Sequence, residues 1–193
     1  MKGPFPIHSI PSQPWKNQAG TTRQIASGQG WRVSVAAVGA DAPFSVFRNT
    51  RRQSIVIEGD GIQLRCGDRS VELLPHVVSG YAGDIEWQGH LRGRPATVLN
   101  VICEKDVAEA EIFVGRAVEV CADRQGAIVA LPICCSMSYV LESGEAGVAS
   151  RGTAFVCDDR EFMACHAVAE WTTGIGYIIA VRLTPATNGA QGD

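Results

Sequence analysis

Apolar segments of five to ten residues, rich in Val and Ile, recur along the chain between Gly, Asp and Asn punctuation. β-Branched side chains pack well on a pleated surface and Gly and Asn supply turns, so the pattern predicts many short strands rather than helices. Eleven strands are expected, at 31–38, 54–58, 62–66, 71–74, 97–103, 111–120, 127–134, 137–142, 154–157, 162–170 and 177–183. One short helical turn is expected at 106–110, where charged residues and Ala alternate without an apolar stripe. The predicted class is all-β.

A sequence echo suggests a repeat. Ser54-Ile55-Val56-Ile57-Glu58-Gly59, with Gly61 just beyond, returns 84 positions later as Ser138-Tyr139-Val140-Leu141-Glu142-Ser143-Gly144, with Gly147 beyond it. Each copy reads as a β-run, a polar turn and a second short strand. Two similar β-sandwich halves follow, residues 1–105 and 106–193, with a frayed polar tail at 184–193.

Alternation places candidate side chains on faces. Along 31–38, Trp31, Val33 and Val35 share one face, while Arg32 and Ser34 share the other, facing water or lining the mouth of a barrel. Asn100 lies inside the apolar run 96–103, where an unpartnered amide costs a few kcal/mol, so a backbone group, a hydroxyl, a ligand or a pocket Arg must satisfy it. The segment 14–25 joins Trp15, Lys16, Asn17, Thr21, Thr22 and Arg23, with Gly20 as a hinge. Its hydrogen-bonding groups are mostly donors, which suit a carboxylate or acylated amine better than a cation.

Composition narrows the function classes. Hydrophobic residues make up 46% and charged residues 19%, which excludes intrinsic disorder. The net charge of -3, with no basic run longer than Arg51-Arg52, disfavours nucleic-acid binding. The longest apolar run, Ala127 to Cys135, contains Pro132 and falls short of the roughly 18 residues of a membrane span. The N-terminal segment, broken by Pro4, Pro6, Pro11 and Pro14, lacks a secretory apolar core, so a cytoplasmic location is expected.

Seven cysteines without a C-x-x-C pair suit buried reduced thiols, and a site at Cys157, Cys165 and His166 is disfavoured because neighbours on a strand face opposite ways. His8, His76, His90 and His166 show no metal-ligand spacing, so neither a catalytic metal nor a cofactor is expected. No G-x-S-x-G elbow, phosphate-binding loop or dinucleotide fingerprint is present.

Pro14-Trp15-Lys16-Asn17, Gly20-Thr21-Thr22-Arg23 before Ile25, Trp31-Arg32-Val33-Ser34, Asp41-Ala42-Pro43-Phe44-Ser45, the Glu58-Gly59 turn, Gly83-Asp84, Leu91 and Leu99-Asn100 resemble, in order and spacing, the HutD/Ves family. The likeness covers roughly residues 14–103, and beyond it only the general pattern of strands matches. Gln18-Ala19 stands where the family usually has glycines, Gln24 where it often has Glu, and Tyr81-Ala82-Gly83-Asp84 where a Pro-Gly-Asp turn is usual.

The resemblance implies a double cupin without cupin metal motifs and without an established enzymatic activity. One branch is associated with histidine utilisation, where it is thought to bind N-formylglutamate, formiminoglutamate or urocanate and limit flux. The other is a stress-induced protein. Carried over by position, the ligand-binding candidates are Trp15, Lys16, Asn17, Thr22, Arg23, Arg32, Ser34, Arg51 and Asn100. Arg32 and Arg51 are expected to pair with carboxylate oxygens, Asn17 and Asn100 to read an amide or formyl group, and Trp15 to wall the pocket. Two competing expectations stand beside this one. The first is a cofactor-free isomerase, lyase or hydrolase using Glu58, Asp84 or His90. The second is an interaction module, a homodimer for instance, using apolar strand residues at 127–140.

Overall fold

The computed structural model describes residues 3–121, 126–158, 162–168 and 176–186. In chain order the strands begin β1 (Pro4–Pro6), β2 (Gln13–Pro14), β3 (Gly20–Gly28), β4 (Trp31–Val38), β5 (Ala42–Pro43) and β6 (Thr50–Glu58). They continue with β7 (Ile62–Cys66), β8 (Arg69–Leu73), β9 (Ser79–Ala82), β10 (Gln88–Leu91), β11 (Ala96–Glu104), β12 (Ala108–Gly115) and β13 (Ala117–Cys121). The last six are β14 (Ala127–Ile133), β15 (Ser136–Leu141), β16 (Ala146–Ala149), β17 (Thr153–Asp158), β18 (Phe162–Val168) and β19 (Tyr177–Pro185). The only helical element among the described residues is the 3-10 turn Ile7–Ser9, so no helix there is long and apolar enough to cross a membrane.

The chain divides into two units. The first comprises Pro6–Ser27 and Arg32–Ile102; Gly28–Trp31, the described residues before Pro6 and those from Cys103 onward belong to the second. The first unit pairs a sheet of order β2-β3-β4-β11-β6-β9 with one of order β5-β10-β7-β8. The second pairs β1-β17-β14-β19-β12 with β13-β18-β15-β16.

These orders repeat one topology. The run β4-β11-β6-β9 corresponds to β12-β19-β14-β17, and β5-β10-β7-β8 corresponds to β13-β18-β15-β16. The counterpart of β15 is therefore β7, whereas the sequence echo sets it against Ser54–Glu58 of β6. The repeat is real, but the echo aligns strands that are one step out of phase.

Most expected strands fall within two or three residues of observed ones, and the differences have local causes. The expected single strand at 111–120 is two, β12 and β13, interrupted at Arg116. The expected helical turn at 106–110 is instead a turn with Asp106 at φ 63° that leads into β12. There the ladder partner decides, because Ala108, Glu109 and Ala110 pair with Pro185, Thr184 and Leu183. That pairing also orders residues 184 and 185 of the supposed frayed tail, and the Ala186 N–H donates to the Val107 carbonyl at 2.9 Å; residues 187–193 lie outside the described residues. Segment 14–25 is largely strand rather than loop, since β3 starts at Gly20.

Each unit closes its sheets over apolar side chains. The first unit's core gathers Val38, Phe44, Val56, Ile62, Leu64, Leu73 and Trp87. The second unit's gathers Ile128, Met137, Tyr139, Phe155, Met163 and Ile178, with Tyr139 and Phe155 centred 4.6 Å apart. Full burial of each such side chain stabilises by about 1.5–3 kcal/mol. Cys157 and Cys165 belong to this second core, while His166 points outward as strand alternation requires. Burial pushes the Cys165 thiol up to about 12.

Candidate functional site: a cationic chamber in the first unit

The first unit holds two adjoining cavities. The inner one, about 50 Å3, is lined by side chains from β3, β4, β6 and β11 and from the segment after β5. That is room for about three or four water-sized groups. The outer one, about 490 Å3, shares Trp15, Thr22, Arg32, Phe44 and Ser45 with it and adds Gln13, Pro14, Lys16, Asn17, Pro43, Val46 and Glu86.

Strand parity delivers the inner polar groups. Arg32, Ser34, Ala36 and Val38 face inward along β4, Val98, Asn100 and Ile102 along β11, and Arg52 from β6. Arg52 is only 5% exposed, and its Nε, like that of Arg32, is buried without a hydrogen-bond partner. Among the described residues no carboxylate pairs with either guanidinium. Aromatic faces hold them instead: Arg32 lies 4.8 Å from the Phe47 centroid, and Arg52 lies 5.0 Å from that of Tyr81 and 5.5 Å from those of Phe44 and Phe47. Burial, and then the like charge of Arg52, hold the Arg32 pKa below its ordinary value.

A hydrogen-bonded chain fixes the floor. Tyr81 and Ser54 meet at 2.9 Å, the Ser54 hydroxyl donates to Asn100 Oδ1 at 2.7 Å, and an Arg52 terminal nitrogen donates to the same oxygen at 3.3 Å. With Oδ1 occupied twice, Asn100 offers the chamber only its Nδ2 donor. A hydroxyl and a pocket Arg thus satisfy the Oδ1 half of the amide whose sequence position demanded partners. On the wall, the Trp15 indole donates to Thr22 Oγ1 at 2.8 Å, which leaves the Thr22 proton available, and Trp15 packs edge-on to Phe44 at 5.7 Å.

Two glycines permit these approaches. A Cβ on Gly20 would come within 2.5 Å of the Ala37 carbonyl and 3.2 Å of the Trp15 ring, so Gly20 is a close-packing position rather than a hinge. A Cβ on Gly83 would meet Thr50 Oγ1 at 2.0 Å, beneath the strap whose Phe47 N–H donates to the Gly83 carbonyl at 2.8 Å.

Of the sequence candidates, Trp15, Thr22, Arg32, Ser34 and Asn100 come together at the inner chamber, and Lys16 and Asn17 line the outer one. Two fall elsewhere. Arg51 is exposed on β6, one residue out of phase with Arg52, which takes the inward position in its place. Arg23 neighbours inward-facing Thr22 on β3, and its guanidinium donates to the Ile10 carbonyl instead. Asn17 does not stand free as an amide reader, since its Nδ2 donates to the Pro43 carbonyl at 3.3 Å and its Oδ1 accepts from the Ala19 N–H at 3.2 Å. Sequence reasoning missed Arg52, Ser54, Tyr81, Phe44 and Phe47. Alternation counted back from the buried Ser54 would have found Arg52, whereas the aromatics come from a loop and a short strand without a periodic signal.

Glu58, Asp84 and His90 line neither cavity; His90 Nδ1 instead meets Asp41 Oδ2 at 3.0 Å on the exposed surface. Among the described residues no three His, Cys, Asp or Glu side chains converge. Two guanidinium groups with no imidazole, thiol or carboxylate make the inner chamber a poor fit for the metal of a cupin barrel.

A model of the HutD family matches residues 7–170. The chain belongs to the HutD family. Among relatives of this HutD family member, an uncharacterised 21.2 kDa protein from the hutC 3′ region of Pseudomonas putida is 33% identical over 100 residues, 48% of this chain and 53% of that protein. Protein Ves of Citrobacter koseri is 28% identical over 118 residues, 57% of this chain and 62% of that protein. The chain thus spans about half to three-fifths of the curated relatives it matches. In structure it is similar to HutD from Pseudomonas fluorescens SBW25, with a TM-score of 0.77 at 21% identity over 96% of this chain and 99% of that one. A cupin barrel protein from Leptotrichia buccalis aligns with a TM-score of 0.61 at 9% identity, over 95% and 96% of the two chains. The fold is all-β and of cupin type.

Proposed function

We propose that this HutD family member is a cytoplasmic, metal-independent binding protein that holds a small carboxylate in the chamber of its first unit. One observation carries the reading: two guanidinium groups, one of them almost fully buried, face a common chamber without a carboxylate among the described residues. A bound anion supplies the missing countercharge, with the Asn100 Nδ2 and the Thr22 and Ser34 hydroxyls as further donors. HutD membership and a relative from a hutC region support a ligand of histidine degradation, for which an acylated or formimino glutamate or urocanate is our candidate. Binding there would serve a regulatory role.

Calorimetric titration with formylglutamate, formiminoglutamate, urocanate and glutamate tests the class. At least one is expected to bind wild type and to lose binding in Arg32→Ala, with the circular dichroism spectrum unchanged. No heat from any of the four, with folded protein, rejects it.

A further inference from the structure

An open sheet edge is a template for another strand, and proteins blunt such edges with proline, charge or a covering group. Most terminal strands of this chain's sheets are blunted in that way. β1, β2 and β5 carry prolines, β8, β12 and β13 carry Arg or Glu, and the Ala82 carbonyl of β9 accepts the Trp87 indole at 3.0 Å. β16, the counterpart of β8 in the second unit, differs. It reads Ala146-Gly147-Val148-Ala149, without proline or charge, and among the described residues it ends its sheet.

The register shows which backbone groups this edge leaves open. The Leu141 N–H donates to the Glu145 carbonyl at 2.8 Å, and beyond it Tyr139 faces Gly147 and Met137 faces Ala149. Antiparallel bonds alternate along a strand, so residues 145, 147 and 149 direct theirs to β15, while Ala146 and Val148 turn N–H and C=O to the open side. Val148 is 62% exposed, and Val140, diagonal to it on the same outer face, is 50% exposed. By contrast β14, within the apolar run expected at an interface, is buried throughout. Glu145 and Arg151 flank β16, both exposed and neither ion-paired with a described residue.

We propose that β16 pairs antiparallel with β16 of a second copy of this chain about a twofold axis, joining the two four-stranded sheets into one. The flanking charges select the register. With Val148 opposite its own copy, Glu145 falls opposite the second copy's Arg151 at both ends, and opposite charges across a strand pair attract. The neighbouring registers that keep the backbone bonds match no charges: one sets Glu145 against Ala149, the other Gly147 against Arg151. On the inner face Gly147 meets the second copy's Ala149, so small residues admit the approach. The contact is short, which makes the dimer reversible and dependent on concentration. It does not depend on the carboxylate reading.

Sedimentation equilibrium from micromolar to millimolar protein, with amide hydrogen exchange followed at the same concentrations, tests the pairing. Wild type is expected to pass from monomer to dimer, with exchange at the Ala146 and Val148 amides slowing as the dimer forms. Glu145→Arg and Arg151→Glu should each weaken association about tenfold, because each sets like charges opposite one another at both ends. An equimolar mixture of the two variants should restore wild-type association, since every facing pair is then opposite in charge, a rescue that a misfolded variant could not give. Wild type that stays monomeric throughout the range overturns the proposal. So does a dimer that the variants leave unweakened, that mixing fails to restore, or that leaves the two amides unprotected.

Discussion

The two units share one strand topology and differ in what their inward positions carry. In the second, β14, β17 and β19 send Ile128, Ala130, Phe155, Cys157, Ile178 and Ala180 inward, and these join one buried apolar core. In the first, the corresponding strands, with β4, send Arg32, Ser34, Arg52, Ser54, Tyr81 and Asn100 inward, and a cavity remains. Each unit also has an Arg over an aromatic face, but with a different charge balance. Arg182 lies 5.7 Å from the Phe113 centroid and bonds the Glu111 carboxylate, so its charge is met. Arg32 and Arg52 have no such partner among the described residues. The fold tolerates either filling, so a binding function resides in a few inward side chains rather than in the barrel itself.

The largest way to test this contrast is to hollow the filled unit. Phe155→Ala removes a fully buried ring, and chemical denaturation should show a loss of about 3–5 kcal/mol, without changing carboxylate affinity in the folded protein. Next comes the charge that marks the open unit. Arg52→Ala should weaken carboxylate binding about 100-fold by calorimetry, whereas Arg51→Ala, one residue along the same strand, should change it less than twofold. An equal effect from both would refute the parity assignment.

Giving the open unit a built-in countercharge should make it resemble the closed one. Asn100→Asp places a carboxylate against Arg52, so the melting temperature of the ligand-free protein is expected to rise by roughly 3 °C or more while ligand-induced stabilisation disappears. Thiol labelling at pH 8 probes the second unit's interior from another side. Burial pushes Cys165 up to about 12 and Cys103 up to about 11, so both should resist alkylation that modifies the exposed Cys121 and Cys134.

The smallest effect is at the surface of the open unit. Backbone and side-chain bonds from Leu91 and His90 hold Asp41, and bonds from Arg94 hold Asp60, below the ordinary carboxylate range. A folded-state pKa below the unfolded one stabilises above the unfolded value. This slight contribution is therefore fully present above about pH 4 and fades as the pH falls through the folded values. Acid titration followed by NMR of the two carboxylates measures it.

One departure from the family pattern acquires a backbone meaning in three dimensions. Gln18, where relatives usually have glycine, sits at φ 58°, the left-handed region that costs an L-residue roughly 1–2 kcal/mol. The loop meets that conformation with a Gln18 N–H bond to the Trp15 carbonyl at 3.0 Å.

The all-β class, most strand positions, and the shared face of Arg32 and Ser34 were legible in the chain because alternation on a strand is a local property with a period of two, while which way that face pointed was not. Asn100 stood out for a similarly local reason, a polar side chain inside an apolar run. The expected strand began at 54 rather than 50, so parity stopped short of Arg52, and Arg51 was expected from the family resemblance alone. The repeat was legible in kind but not in register, since a short echo cannot tell β6 from β7.

Only the folded chain decided that Ser54, Tyr81 and Arg52 would converge on Asn100, across sequence separations of 27 to 48 residues. The same holds for Phe44 and Phe47 over the guanidiniums and for the polar chamber of one unit beside the apolar core of the other. Those outcomes depend on volumes and charges summed over several strands, and no single segment carries that sum.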